Sequence, residues 1–366
     1  FGAGATGGAD FIHGTPNARG VAEMANPLGA KVNGKTIQGT LDYTFKRDDW
    51  VIRASGFLSS NQAEQQDVSK GFFNRVDLEL TGLAIRGDGL YRGMPNSAIP
   101  RTLTATNAAG VPVDLFNGGL YQLSRVISRP MTTTDAKSGA KLDVTRHFGQ
   151  QLTLRAGAAY NSQDRDTLHD FKRYDWVPAV AGSRNAGNFG LVDPGYSATA
   201  QNYFPGRQVQ WVSLAKVYDL FKAHPEYFTL NEGNSFASSV RYSPKLTESI
   251  TAGYFRADWK LFEDRLWLVG GVRYERTEDY GQGPLQDRYA IYKKDASGRL
   301  ERTPAGALIP IATGLEATKL QWKYRGQITD RNYDGFFPSF NATYNITNEL
   351  LVRAAYAKTI GRPEMR

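Results

Sequence analysis

The 366-residue chain contains no cysteine. That excludes disulfide scaffolds and thiolate metal sites, and it is compatible with an oxidising compartment. Long apolar runs are missing as well. Hydrophobic residues make up 41% of the sequence, and no stretch approaches the roughly 18 consecutive apolar residues of a spanning helix. A helical membrane bundle is therefore excluded, but a β-barrel is not, because its strands show lipid only at every second residue and cancel their own hydropathy. Charge has little direction: the formal net charge is +8, yet the lysines and arginines are scattered without a basic run, so no nucleic-acid partner is expected. Histidine is scarce. His13, His147, His169 and His224 are too dispersed for HExxH or another ligand spacing. The segment "HDFKRYDW" brings His169, Asp170 and Asp175 together, but in what reads as a solvated loop. Serines lack a nucleophile-elbow context, and Asp48 with Asp49 falls in a turn. We expect no enzyme, no metal site and no cofactor.

Glycine-rich "FGAGATGGAD" at the start places Gly2, Gly4 and Gly7 in the spacing of a dinucleotide fingerprint. That chemistry needs a strand before the first glycine and a helix after the third. Neither is present, so a flexible loop is expected. Phe1 is preceded by no initiator methionine, basic region or apolar region of a signal peptide, and the chain is expected to be an excerpt.

What the sequence does hold is one unit four times over. In "TIQGTLDYTFKRDDWVIRASGFLSS", Ile37, Leu41, Tyr43 and Phe45 share one face, while Gln38, Thr40, Asp42 and Thr44 share the other. After a tight turn, Ile52, Ala54 and Leu58 alternate with Arg53, Ser55 and Phe57. "SGAKLDVTRHFGQQLTLRAGAAYNSQ" repeats the pattern with Leu142 and Val144 against Asp143, then Leu154 and Ala156 against Arg155. The third unit sets Phe255, Ala257 and Trp259 against Arg256 and Asp258, then Leu268 and Val272 against Arg273 and Glu275. The fourth sets Phe336, Phe340 and Tyr344 against Ser339 and Asn341, then Val352, Ala354 and Tyr356 against Arg353. Eight strands are thus predicted.

Turns are short at one end only. The joining segments, about residues 61–130, 162–247 and 280–334, far exceed the roughly 12–15 residues usual for a structureless loop in a compact domain. An outer-membrane barrel has this asymmetry, with short periplasmic turns and long outer loops. A soluble antiparallel sheet with one wet face explains the alternation but not the loop lengths. Charges of both signs, among them Arg53, Arg155, Arg273, Glu275 and Arg353, are expected to face the lumen. The apolar face is expected to meet lipid, and Tyr43, Phe45, Trp50, Trp259 and Phe262 near the turns suit an aromatic girdle.

The stretches "YFRADWKLFEDRLWLVGGVRYERTED" and "FFPSFNATYNITNELLVRAAYAKTIGRPEM" resemble the barrel of TonB-dependent outer-membrane receptors. Their G-G-V-R-Y-E strand end and later P-S-x-N…L-x-x-R-x-A-Y-x-x-T-x-x-R-P pattern carry the likeness. The resemblance implies an all-β fold, an antiparallel transmembrane β-barrel of 22 strands around an N-terminal plug, placed in the outer membrane of a Gram-negative bacterium amid lipid and lipopolysaccharide. It also implies energised import, through the TonB complex, of a scarce ligand such as a ferric siderophore, a vitamin or a glycan. No plug or energy-coupling motif is legible, so residues 1–366 are expected to be a barrel region with plug and C-terminal strands outside it. A complete eight-stranded barrel is the competing architecture; a passive porin and a surface adhesin are the competing functions.

Within the second long segment, "WVSLAKVYDLFKAHPEYF" places Trp211, Leu214, Ala215 and Tyr218 at helical spacing, with Ser213 as a cap. Flat aromatic faces and cations in the loops are the candidate ligand contacts: Tyr174, Trp176, Tyr203, Phe204, Arg207, Trp211, Tyr289, Tyr292, Trp322 and Tyr324, with Arg173 and Arg288 able to pair anions.

Overall fold

A computed structural model describes residues 4–15, 20–26, 29–94, 97–178, 184–201, 204 and 206–362. Its strands are β1 Thr6–Gly7, β2 Phe11–His13, β3 Gly20–Asn26, β4 Lys31–Arg47, β5 Trp50–Gln66, β6 Arg75–Met94, β7 Ser97–Thr106, β8 Gln122–Ser128, β9 Met131–Phe148, β10 Leu152–His169, β11 Lys172–Trp176, β12 Phe228–Leu230, β13 Lys245–Leu261, β14 Leu266–Gln286, β15 Trp322–Asn345 and β16 Leu351–Ala357. The helices are α1 Pro194–Thr199, α2 Leu214–Ala223, α3 Glu232–Arg241 and α4 Gly314–Gln321.

Eight strands form one antiparallel sheet in the order β16-β15-β14-β13-β10-β9-β5-β4, each beside its neighbour in the chain. These are the eight strands predicted from alternation. The sheet is open, with β4 and β16 at its edges. Strands of 17 to 24 residues, β16 aside, outrun the roughly 9–11 residues needed to cross a membrane. Their far ends therefore stand clear of the bilayer. Apolar side chains of one face are exposed: Leu41 at 77%, Leu58 at 69% and Tyr356 at 63%. In water this would be an unpartnered apolar surface far larger than monomers tolerate, and against lipid it is the stable arrangement.

The joining segments are not structureless loops. They supply β6 to β8, β11 and β12, which together with β1, β2 and β3 make a second eight-stranded sheet. This sheet, with α1 and α2, forms a cap at the long-loop end. Among the described residues, nearly all buried hydrophobic side chains lie in the cap, and Ala252 alone is on a strand of the long sheet. One cluster gathers Met24, Phe73, Val76, Leu78, Leu123, Val126, Trp176, Val212, Val217 and Phe228; a second joins Leu83, Ile85, Ala105, Leu115 and Phe116. The opening segment, expected to be a flexible loop, instead pairs as β1 with β2 and β2 with β6. Backbone donors of an isolated glycine-rich segment are best satisfied by such pairing, and the partner lies some 75 residues away in sequence. Helix α2 begins as predicted, with Ser213 Oγ accepting from Lys216 N–H at 3.4 Å.

Three contacts anchor the cap to the long strands. Asp67, fully buried, accepts from Val68 N–H at 2.5 Å, Ser128 Oγ at 2.8 Å and Arg129 N–H at 2.5 Å, tying the end of β5 to the start of β9. Ser235, Ser239 and Ser243 accept from the N–H groups of Arg173, Phe171 and His169 at 3.0, 2.9 and 2.9 Å. The match is geometric, because four helical residues rise about 6 Å and two strand residues about 6.6 Å. Arg325 bonds Asp166 and the carbonyl of Ser243, adding the third segment to the same junction.

Candidate functional site

The polar face of the long sheet is a charge lattice. Arg53 stands opposite Asp143 in register, and Lys141 Nζ lies 2.8 Å from the same carboxylate. Arg155 Nε is 3.7 Å from Asp258, which also takes Arg256 at 2.5 Å; Arg273 Nε lies 2.7 Å from Glu275, which Arg362 also reaches. Asp258 and Glu275 are only 8% exposed. Buried carboxylates at that depth require paired cations, and both have them. Arg353 stands opposite Thr343, on the same register face as Arg273.

Aromatic rings on this face lie over glycines. Tyr254 pairs with Gly157 across strands and crosses it to donate its hydroxyl to Asp143 at 2.5 Å. A Cβ at Gly157 would sit 2.5 Å from the ring and 2.7 Å from the Leu142 carbonyl oxygen. Phe57 covers Gly139 in the same way.

Above the strands, the candidate contact residues separate into two groups. Tyr174, Trp176, Phe204 and Trp211 pack inward. Trp176 is 6% exposed and meets Phe189, Tyr227 and Phe228 with centroids 5.0–5.7 Å apart. Tyr174 packs 5.1 Å from Phe221, and Phe204 5.1 Å from Phe116. Trp211 lies against the larger cluster, with Tyr196 at 6.4 Å. Trp176 is thus core and not an open stacking face; the cap gains more by burying its large apolar area than by presenting it. Arg207 is tied to Asp114 at 2.6 Å and lies over Phe116 at 4.7 Å.

Tyr289, Tyr292, Trp322 and Tyr324 belong to the rim. Tyr289 and Tyr324 are exposed, Tyr292 bridges Pro310, and Trp322 carries Arg241 over its ring at 4.9 Å. Tyr203 lies outside the described residues. Arg173, expected to be available to anions, is held by Asp175 at 2.7 Å. Burial, with Asp114 nearby, pushes the Tyr121 phenol up to about 12, consistent with its hydroxyl donating to the Leu115 carbonyl at 2.8 Å.

Two depressions emerge that alternation could not reveal. One, of about 470 Å³, is walled by Met24, Ile85, Leu115, Phe116 and Tyr121 inside the cap. The other, about 680 Å³, runs between β11, α3, α4 and Trp322. Both are made by residues from separate segments, so no local sequence signal marks them.

Residues 81–366 match the family model described as TonB dependent receptor-like, beta-barrel. Among curated proteins no sequence match is found. Among solved structures, the unliganded ferric citrate transporter FecA is similar at 8% identity with a TM-score of 0.29, over 92% of this chain and 39% of that one. The chain thus spans about two-fifths of that protein's length. Strand alternation, one-sided loops and the match over residues 81–366 lead to one conclusion: the chain belongs to the TonB dependent receptor-like β-barrel family and resides in the Gram-negative outer membrane.

Proposed function

We propose that the full-length protein is an energised importer, in which the cap captures a scarce ligand outside the cell and the TonB complex, acting through a plug domain, drives its entry. The observation that carries this reading is the folded cap itself. A passive pore gains nothing from a large, cored body at its mouth, whereas a receptor needs rigid elements to hold recognition groups. The charge lattice of Arg53, Arg155, Arg273, Glu275 and Arg353 supplies a wet, polar inner face along the route. The rim residues Tyr289, Tyr292, Trp322 and Tyr324 are the proposed first contacts. A ferric siderophore, a vitamin or a glycan each suits such a receptor, and nothing calls for enzymatic chemistry.

The test is uptake by cells carrying the full-length gene. Uptake should saturate at low ligand concentration and collapse when the inner-membrane proton gradient is dissipated, while surface binding persists. Unsaturable uptake indifferent to the gradient would establish a porin. Binding without uptake under any energised condition would establish an adhesin.

A further inference from the structure

We infer that the groove between β11, α3, α4 and Trp322 is a binding site for a short, neutral oligosaccharide. This inference rests on the receptor reading and names its ligand class. The groove holds about 680 Å³, within the range of roughly 300–1,000 Å³ typical of small-molecule sites. Its polar lining includes two carboxylates, Asp175 and Glu232, the three carboxamides of Asn231, Asn234 and Gln321, two threonine hydroxyls and the Trp322 indole. An apolar ligand would leave these polar groups without partners at a cost for each. A pyranose instead offers adjacent hydroxyls that both donate and accept, matching carboxylate and amide groups, and a C–H face that packs on an indole.

Charge argues in the same direction. Arg173, beside the groove, is paired with Asp175 at 2.7 Å, and Arg241 lies over the Trp322 ring at 4.9 Å. Asp175 and Glu232 line the groove, and Glu232 in the first turn of α3 offsets the positive end of that helix. An anionic ferric chelate therefore meets two carboxylates in a lining that holds no lysine or arginine, whereas a neutral polyol meets no such penalty.

Several of these groups are held in place. Asn231 Nδ2 donates to Asp175 Oδ2 at 2.8 Å, while its Oδ1 accepts from Asn234 N–H at 3.1 Å. Gln321 Nε2 donates to the Arg288 carbonyl at 3.3 Å. A Cβ at Gly233 would lie 2.9 Å from Thr318 Oγ1, so glycine there permits the close approach of α3 and α4. Trp322 opens β15 opposite Gln286, which puts the groove at the rim where barrel strands meet the cap.

The decisive experiment is calorimetric titration of the full-length receptor in detergent. The probes are linear oligosaccharides of glucose, xylose, mannose and galactose, with ferric citrate and a ferric tris-catecholate in parallel. At least one oligosaccharide series should bind with micromolar affinity, and the ferric chelates should not compete with it. Trp322→Ala should weaken that binding at least tenfold and Trp322→Phe far less; the exposed Asn234→Ala should weaken it severalfold. Heat-modifiable migration on gels checks folding of each variant. If Trp322→Ala fails to fold, Asn234→Ala decides. The inference is overturned if no oligosaccharide in the panel binds, if the affinity is unchanged in Trp322→Ala and Asn234→Ala, or if Trp322→Ala selectively weakens a ferric chelate. Sugar binding that survives while uptake ignores the proton gradient would remove the importer reading and leave this site standing.

Discussion

At the residue scale, the long strands depend on small side chains as much as on charged ones. Gly157 is required because Tyr254 lies across it to reach Asp143. Gly157→Ala should displace the ring, break that bond and cost about 1–3 kcal/mol, as overpacking usually does; unfolding of the full-length protein in urea and liposomes measures it. An unchanged midpoint would mean that the ring has room to move. His169 ends the 18-residue β10, beyond the roughly 9–11 residues that cross the bilayer. Burial, reinforced by Arg129, lowers its pKa from 6.5 to about 4, and Arg129 Nε points to Nδ1 at 3.5 Å. Because the folded state binds the proton more weakly than the unfolded state, stability contributed here is complete above about pH 6.5 and falls as pH drops toward 4. The protection of the amides of residues 129 and 169, taken relative to the intrinsic exchange rate at each pH, should therefore fall as pH drops from 7.5 to 5, and His169→Gln should flatten that dependence. The paired carboxylates were legible by sign alone; their partners were not, since Arg155 meets Asp258 across strands about a hundred residues apart.

At the element scale, alternation was a sufficient signal for all eight long strands and for the side each residue takes. Period-two patterns depend only on which face meets lipid, so they survive without knowledge of neighbours. Ala354 stands opposite Ala342 on the exposed face. Ala354→Arg should cost about 2–4 kcal/mol if it lies near the midplane, and cysteines at Leu268, Val272, Ala354 and Tyr356 should react with lipid-soluble probes alone. Equal labelling of Arg273→Cys and Arg353→Cys by those probes would refute the assignment of faces. The serine series of Ser235, Ser239 and Ser243 was illegible for the opposite reason. Its partners are backbone groups of His169, Phe171 and Arg173, and backbone donors carry no sequence label.

At the scale of the whole molecule, the body divides into a sheet with its apolar side outward and a cap with its apolar side inward. Trp176→Ala should therefore act on the cap. Removing a large ring from the core costs about 3–5 kcal/mol, so hydrogen exchange over residues 67–130 and 172–230 should rise while heat-modifiable migration persists. Loss of the barrel signature instead would mean that cap and strands fold as one unit. The sequence by itself determined the eight strands, their faces, the end that carries the long segments and the family, because each is written in spacing or in contiguous motifs. Only the tertiary structure decided that those segments condense into a cored cap, that Tyr174, Trp176, Phe204 and Trp211 pack in or against its apolar clusters, and that Asp175, Asn234, Thr318 and Trp322 line one groove. Those facts depend on contacts between residues far apart in the chain. Such contacts are selected by the burial of area and the satisfaction of polar groups, which no local pattern records.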